Sequence, residues 1–308
     1  IVHLCWERLA RPQDAVTPGL LAEAERRGQA IALWLEEDPG RMAALRGLPV
    51  FGICSDMPEL VHPFRVPEGW PLRTVAHRGA NTVAPENTLP AARCAFAAGF
   101  DVVELDVRTA SDGTLVVLHD DRLDRTTDGT GPVADRVWDE LARLDAGDWF
   151  SAHFRGTPLP RLADMLALAR AWGRGLYVEI KEADPGAVLA EVAAAGMAAD
   201  TFFWDHRPDR LAALRRHAPD ARIMARRQDF ATPEETMAAH GGPALIEYMP
   251  EDDWSEIPRI RAAGLPVMIC SMGRDPRMMD RLVAARPDLV NIDDLFLFRQ
   301  RLAAAGLV

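Results

Sequence analysis

The stretch Asp101-Val102-Val103-Glu104-Leu105-Asp106-Val107 reads as one β-strand, and the direction of its side chains governs the arrangement of the rest. Successive strand residues point to opposite faces, so Val103, Leu105 and Val107 share one face while Glu104 and Asp106 share the other. The apolar face suits packing under helices. Val178-Glu179-Ile180-Lys181 repeats the arrangement and puts Glu179 and Lys181 on one face. If the polar face is interior, its carboxylates need a counter-charge, because burying them unpaired is expensive. Acids turned outward on an antiparallel strand, or ion pairs with Arg78 and Lys181, are the competing readings.

Working outward, short apolar runs alternate with Ala/Leu/Arg-rich segments of helical spacing. The expected strands are 73–77, 101–107, 175–181, 201–205, 221–226, 244–249, 265–271 and 288–292. Helices are expected over 88–98, 162–172, 186–195, 208–217, 233–240, 254–263 and 276–285. Such alternation predicts an α/β protein, a (β/α)8 TIM barrel over 72–308. A doubly wound open sheet would need a Gly-rich nucleotide turn after its first strand, and His77-Arg78-Gly79-Ala80 is not one. One connection, about 109–160, is too long to be ordinary. It contains Asp112-Gly113, a short strand Leu115 to Leu118 and the Asp/Thr/Gly-rich run 124–131, and is expected to be a small insertion after the second strand.

In a barrel the face carrying Glu104 and Asp106 is the interior, and a bound cation is the natural remedy for their charge. Three oxygen donors, Glu104, Asp106 and Glu179, together with a phosphate suit Mg²⁺ or Ca²⁺ better than zinc. His77 and His119 each end an apolar run, where a barrel strand delivers side chains to the catalytic rim, and bond cleavage needs one group to accept a proton and another to give one.

The motifs His77-Arg78-Gly79-Ala80, Pro85-Glu86-Asn87-Thr88, Glu104-Leu105-Asp106-Val107, Leu118-His119-Asp120, Leu123 to Gly129 and Val178-Glu179-Ile180-Lys181 occur in this order. Residues 71–308 thereby resemble a complete glycerophosphodiester phosphodiesterase. The resemblance implies metal-dependent hydrolysis of glycerophosphodiesters to glycerol 3-phosphate and an alcohol. In such enzymes the substrate's neighbouring hydroxyl attacks first, and water then opens a cyclic phosphate. It implies His77 and His119 as general acid and base, Arg78 as a phosphate contact, Glu104, Asp106 and Glu179 as metal ligands, and Lys181 as a stabiliser of charge on the phosphoryl oxygens. The insertion would cap the active site. Asn87 is expected to cap a helix and brace its loop, and Glu86 to have a secondary metal or substrate role. Lys181 supports the reading independently. Lys and Arg total 35, and Lys181 is the single lysine. An ammonium and a planar guanidinium are not interchangeable around a phosphoryl group.

The far end departs from the family pattern. Where the family usually has Trp-Thr-Asn on its seventh strand and Thr-Asp near the end of its eighth, this chain has Cys270-Ser271-Met272 and Asn291-Ile292-Asp293-Asp294. The thiol at Cys270 alters the pocket for the alcohol part of the substrate, so phosphodiester chemistry is better supported than glycerol specificity. Glu247 and Cys270, with Glu86, are the expected substrate contacts, and His206, Trp204 and Tyr248 are further pocket candidates. A lysophospholipid or other small phosphodiester is the alternative substrate. A non-catalytic binding or scaffold relative is the alternative of another class.

Residues 1–64 read as a partial repeat of the same barrel. Gly28 to Asp56 parallels Gly264 to Asp293, with Asp38-Pro39 matching Asp275-Pro276 and Met42 matching Met279. This segment resembles strands six to eight of a second barrel, joined through a linker at 65–71, and it keeps the tryptophan as Trp34. A homo-oligomer or an upstream domain completing that partial barrel is expected, since its strands would otherwise leave edges and one face bare.

The composition, 48% hydrophobic and 26% charged, is that of a soluble globular protein. A net charge of −11 argues against nucleic-acid or anionic-membrane binding, and the resemblance implies a small-molecule phosphodiester as the partner. No stretch is apolar for long enough to span a bilayer, and the first residues lack the layout of a signal peptide. Cys5, Cys54, Cys94 and Cys270 have no metal or redox spacing and read as buried thiols of a reducing compartment, so a cytoplasmic location is expected. The chain begins at Ile1 without a methionine, which leaves an upstream segment open.

Overall fold

The computed structural model describes residues 1–5, 12–34, 36, 39–55 and 64–307. It divides into two units, Ile1–Phe64 with Ala97–Gly99, and Arg65–Phe96 with Phe100–Val308. In the first, β1 (Val2–Cys5), β2 (Ile31–Trp34) and β3 (Gly52–Ile53) form a parallel sheet in that order, with helices Pro18–Arg26 and Pro39–Leu45 between them. Thr17 caps the first helix by accepting a hydrogen bond from the Leu20 amide at 3.2 Å, and Pro18 follows at the position where a missing N–H costs nothing. Val16, Ala24, Ile31, Leu33 and Leu45 make the core of this unit.

The second unit is the expected barrel. Its strands are β4 (Arg73–Ala76), β5 (Val102–Thr109), β7 (Gly175–Ile180), β8 (Thr201–Trp204), β9 (Met224–Arg226), β10 (Leu245–Tyr248), β11 (Val267–Ser271) and β12 (Leu289–Ile292). They pair in parallel in the order β8-β7-β5-β4-β12-β11-β10-β9. The ring closes between its ends through a single parallel bridge, Phe203 to Ile223, where the Phe203 amide donates to Arg222 O at 2.9 Å. The eight strands anticipated from the sequence are the eight observed, with small shifts at their ends. Being covered on both faces, they are almost wholly buried and mostly apolar, with the acidic residues Glu104, Asp106 and Glu179 placed among Val, Leu and Ile.

Helices Pro185–Ala194, Pro233–Ala238 and Pro276–Ala285 each begin with proline behind a side-chain cap, from Asp184, Thr232 and Asp275 respectively. Two expected helices are shorter than anticipated. The segment 233–240 turns into a 3-10 stretch at Ala239–Gly241, where His240 takes φ 54°, and 254–263 opens with a 3-10 turn before Ile257–Ala262. The insertion leaves β5 through β6 (Leu115–Val117), which pairs with it antiparallel, and has a small core of Val116, Leu118, Leu123, Val133, Leu141 and Leu159. Trp70, in the stretch expected to be a linker, is buried and donates its indole N–H to Pro287 O at 2.7 Å, so 65–71 does not hang free.

Among the described cysteines, Cys94 and Cys270 are buried and form no disulfide, as expected, whereas Cys54 forms none but is only half-buried. Asp38 and Asp56, which figure in the sequence repeat, lie outside the described residues. Among the described residues no helix is long and apolar enough to cross a membrane.

Candidate active site

The carboxyl ends of the barrel strands bring together side chains that the sequence scatters over more than two hundred residues. His77 follows β4 directly, and the chain then turns through Arg78 (φ 55°) and Gly79 (φ 81°). Only glycine fits at 79: a Cβ there would lie 2.8 Å from the Ala91 Cβ and 2.9 Å from its backbone carbonyl carbon. That close approach seats the turn on the helix Leu89–Ala98 and directs the Arg78 amide at Glu104 Oε2, 2.7 Å away. Asn87, also left-handed at φ 57°, bridges the turn to β5: its amide N donates to Arg78 O, and its side chain donates to Asp106 Oδ2 at 2.8 Å and accepts from the Asp106 amide at 3.2 Å. The helix is capped instead by Thr88, whose hydroxyl accepts from the Ala91 amide at 3.3 Å. The expectation that Asn87 caps is therefore corrected; it braces the loop and clamps a carboxylate.

Glu104 and Asp106 of β5 and Glu179 of β7 each offer an oxygen within 4.8 Å of the others. Adjacency follows from register, since Asp106 pairs with Glu179 across the two strands. Burial raises the Glu104 carboxyl well above the usual range, and the charges of Asp106 and Glu179 push it further. Burial acts the same way on Asp106 but is outweighed by the cations Lys181, His119 and Arg78, so its carboxyl lies below the usual range. Asp106 Oδ1 is buried without a directed hydrogen bond, although the Lys181 ammonium is 3.2 Å away. Lys181 also pairs with Glu179. The desolvation that would discharge Lys181 is overcome by Asp106 and Glu179, and its pKa is raised.

Each histidine is held at one nitrogen by a carboxylate. His77 Nδ1 lies 2.8 Å from Asp293 Oδ1, and Asp293 also accepts from Asn81 Nδ2 at 2.6 Å and from the Gly273 amide at 2.6 Å. His119 Nδ1 lies 2.7 Å from Asp120 Oδ1. With the carboxylates ionised, Nδ1 must carry the proton in both rings, which leaves Nε2 for chemistry. Asp120 is in turn gripped by Arg125, at 2.7 and 3.0 Å, and this hydrogen bonding holds its carboxyl well below the usual range. Arg125 reaches on to Glu86 at 2.8 and 2.9 Å, and Glu86 Oε1 accepts from Arg78 Nη1 at 2.9 Å. Glu86 thus joins two arginines and stands outside the three-carboxylate cluster.

Of the other expected contacts, Glu247 is fully buried and paired with Arg226 at 2.8 Å, and Cys270 is 1% exposed. Burial pushes the Cys270 thiol up, and Glu247 adds to the effect. Trp204 is interior and lies under the Arg226 guanidinium, whereas His206 is largely exposed and Tyr248 is buried, its hydroxyl 3.4 Å from Glu256. Sequence reasoning gave no role to Asp293, Asp120, Arg125 or Arg226. Asp120 was legible as the immediate neighbour of His119. Asp293 was not, since 216 residues separate it from His77 and only barrel closure, β12 beside β4, brings them together.

Residues 77–268 match the Glycerophosphoryl diester phosphodiesterase family. A glycerophosphodiester phosphodiesterase of Caldanaerobacter subterraneus subsp. tengcongensis is 45% identical over 107 residues, which make up 35% of this chain and 44% of that protein. The chain spans less than half the length of the curated relatives it matches. The crystal structure of a glycerophosphodiester phosphodiesterase from Agrobacterium tumefaciens is 38% identical with a TM-score of 0.70, covering 74% of this chain and 99% of its own. A phosphodiesterase of Oleispira antarctica, solved with the product sn-glycerol-3-phosphate, is 25% identical with a TM-score of 0.67, covering 75% of this chain and 96% of its own. A match that runs from the first histidine of the site into the seventh barrel strand, on a barrel shared with these solved relatives, makes this chain a member of the glycerophosphoryl diester phosphodiesterase family.

Proposed function

We propose that the chain hydrolyses glycerophosphodiesters to glycerol 3-phosphate and an alcohol, with Mg²⁺ or Ca²⁺ held by Glu104, Asp106 and Glu179. The observation that carries the reading is the meeting of these three carboxylates with two carboxylate-held histidines, Arg78 and Lys181 at one end of the barrel. The donor set fits such an ion: it is all oxygen, it includes Asp106 Oδ1, which has no directed hydrogen bond, and burial, with the charges of Asp106 and Glu179 added, raises the Glu104 carboxyl. Bound there, the cation supplies positive charge to the phosphoryl oxygens and relieves the repulsion among the carboxylates.

The protein's own residues do the rest. Arg78, aligned by Glu86, and Lys181 bind the phosphoryl oxygens. One histidine takes the proton of the attacking hydroxyl through Nε2, and the other gives a proton to the leaving alcohol; Asp293 and Asp120 fix the ring orientation and favour the charged imidazolium. Glu86 acts through the arginines it joins, and Cys270 puts a small thiol where the family usually has an aromatic wall. The absence of a disulfide at Cys54 and Cys270 fits a cytoplasmic setting.

Hydrolysis of glycerophosphocholine, glycerophosphoethanolamine and lysophosphatidylcholine, each with Mg²⁺, Ca²⁺ or a chelator, tests this. Release of glycerol 3-phosphate that the chelator abolishes is expected. Faster turnover of the lysophospholipid would reassign the substrate, and inertness toward all three with either metal would return the chain to a binding or scaffold role.

The same reading extends to residues 1–64 as a partial repeat corresponding to the last three strands of a second barrel, completed by another copy or by further chain. Two observations support it. The pairs Ala32 with Gly52 and Leu33 with Ile53 reproduce the register of Met268 with Leu289 and Ile269 with Val290. Met42 and Leu45 are as fully buried in their helix as Met279 and Leu282 are in theirs.

A further inference from the structure

Arg226 ends β9, Trp204 ends β8 and Glu247 lies near the end of β10, so all three reach the rim where the catalytic groups gather. Register fixes their neighbours. Trp204 pairs with Glu179, one of the three clustered carboxylates, and Glu247 pairs with Arg226. The guanidinium carbon of Arg226 lies 3.7 Å above the centre of the Trp204 ring, and its Nε donates to Glu247 Oε2 at 2.8 Å. An unbroken arc therefore runs from the metal-type cluster through the indole and the guanidinium to a buried carboxylate.

Two features of this arc are unexplained by packing. Arginine has five N–H donors, and one of them is used here: both Nη nitrogens lack a hydrogen bond among the described residues, although the side chain is only 16% exposed. Glu247 Oε1 is buried with no partner at all. A purely structural ion pair should satisfy Glu247 Oε1, because buried polar groups are normally hydrogen-bonded. The donors of Arg226 are thus held, stacked and pre-oriented, beside the reaction centre.

The geometry points to Arg226 as a substrate-binding residue that donates to the terminal hydroxyl of the glycerol arm, with Trp204 and Glu247 as the residues that position its guanidinium. This rests on the function proposed above and names which groups read the substrate. Charge selects a neutral oxygen over a second anion. Glu247 already balances Arg226, and a further negative group would face Glu247 and Glu179. A hydroxyl suits the unused Nη nitrogens, since its oxygen accepts from them without bringing a charge. The arc also supplies an aromatic surface on the fourth barrel strand in a chain that has Cys270 on the seventh.

Two substrates with one leaving group test the inference: glyceryl p-nitrophenyl phosphate, and 2-hydroxypropyl p-nitrophenyl phosphate, which keeps the vicinal hydroxyl and lacks the terminal one. The unaltered protein with Mg²⁺ or Ca²⁺ should prefer the glyceryl compound by roughly tenfold to a hundredfold in kcat/KM, the range of one charge-assisted hydrogen bond. Arg226→Lys, which keeps the charge and loses the fork, should collapse that ratio toward one, mainly through KM for the glyceryl compound. The double variant Arg226→Met/Glu247→Leu removes both charges together and so avoids a stranded buried ion, and it should collapse the ratio too. A glyceryl preference that survives in either folded variant, or no preference in the unaltered protein while it hydrolyses both compounds, overturns the assignment of Arg226 and leaves the proposed activity standing. Hydrolysis of neither compound, nor of glycerophosphocholine, overturns that activity and the assignment with it.

Discussion

Asp293→Asn isolates the contribution of a single carboxylate that no local sequence pattern revealed. Its two oxygens accept from three donors, His77 Nδ1 and Asn81 Nδ2 on Oδ1 and the Gly273 amide on Oδ2. An amide of the same shape has one accepting oxygen. If that oxygen faces His77 and Asn81, the new NH2 meets the Gly273 N–H; if it faces Gly273, His77 must surrender its Nδ1 proton and take the tautomer that is protonated at Nε2. One donor is left unpaired in either case, the exposed Gly273 amide or the half-buried Asn81 side chain, at about 1 kcal/mol, and the imidazolium loses a charged partner worth about 1.5–3 kcal/mol. The second quantity applies to the charged state of His77 during turnover, so kcat should fall by roughly ten- to a hundredfold. The assay is steady-state hydrolysis beside urea unfolding at several pH values. Burial raises the Asp293 carboxyl, but hydrogen bonds from His77 and Gly273 outweigh it, and the folded value lies below the ordinary one. A depressed carboxyl pKa contributes stability that is fully present above the unfolded value, about 3.9, and disappears as pH falls through the folded value. The parent should therefore exceed the variant in stability at pH 7, and the gap should narrow below about pH 4. A folded variant with kcat within a few-fold of the parent would falsify the view that Asp293 supports His77 in catalysis.

Seven further substitutions, in three groups, separate the remaining roles. Glu104→Gln, Asp106→Asn and Glu179→Gln should each weaken metal binding by calorimetry together with the rate, whereas His77→Gln and His119→Gln should leave binding nearly intact while the rate drops roughly a hundredfold or more; metal-independent turnover would remove the scheme. Lys181→Arg conserves charge, yet the wider planar group cannot take the ammonium's place between Asp106 and Glu179, so turnover should fall, and an unchanged kcat would show that a point charge is not required there. Gly79→Ala should cost about 2 kcal/mol or more in urea unfolding, because its Cβ meets the Ala91 backbone and φ is positive; a stability equal to the parent's would mean the turn is not fixed by that contact.

Barrel, strand positions and the candidate site residues were legible in the sequence. Hydrophobic period is a local property of the chain, and alternation alone puts Glu104 with Asp106 and Glu179 with Lys181, an inference that register then converts into one cluster. Local pattern misjudged Asn87, since a residue just ahead of a helix resembles a cap until its side chain is seen turned to Asp106. It also overstated two helices, where a 3-10 stretch containing left-handed His240 and a 3-10 turn at Trp254–Glu256 take the places of helical turns.

Period and motif order therefore determined the fold and the family from the sequence by itself, because each is written in residues close together along the chain. The partners of the catalytic groups were decided by tertiary structure alone. Asp293 meets His77 because the eighth strand closes beside the first, Arg125 reaches Glu86 across 39 residues through the insertion, and Arg226 is stacked on Trp204 because neighbouring strands end at the same rim. A hydrogen bond is set by ångström-scale position, which periodicity does not encode; closing the barrel supplies it.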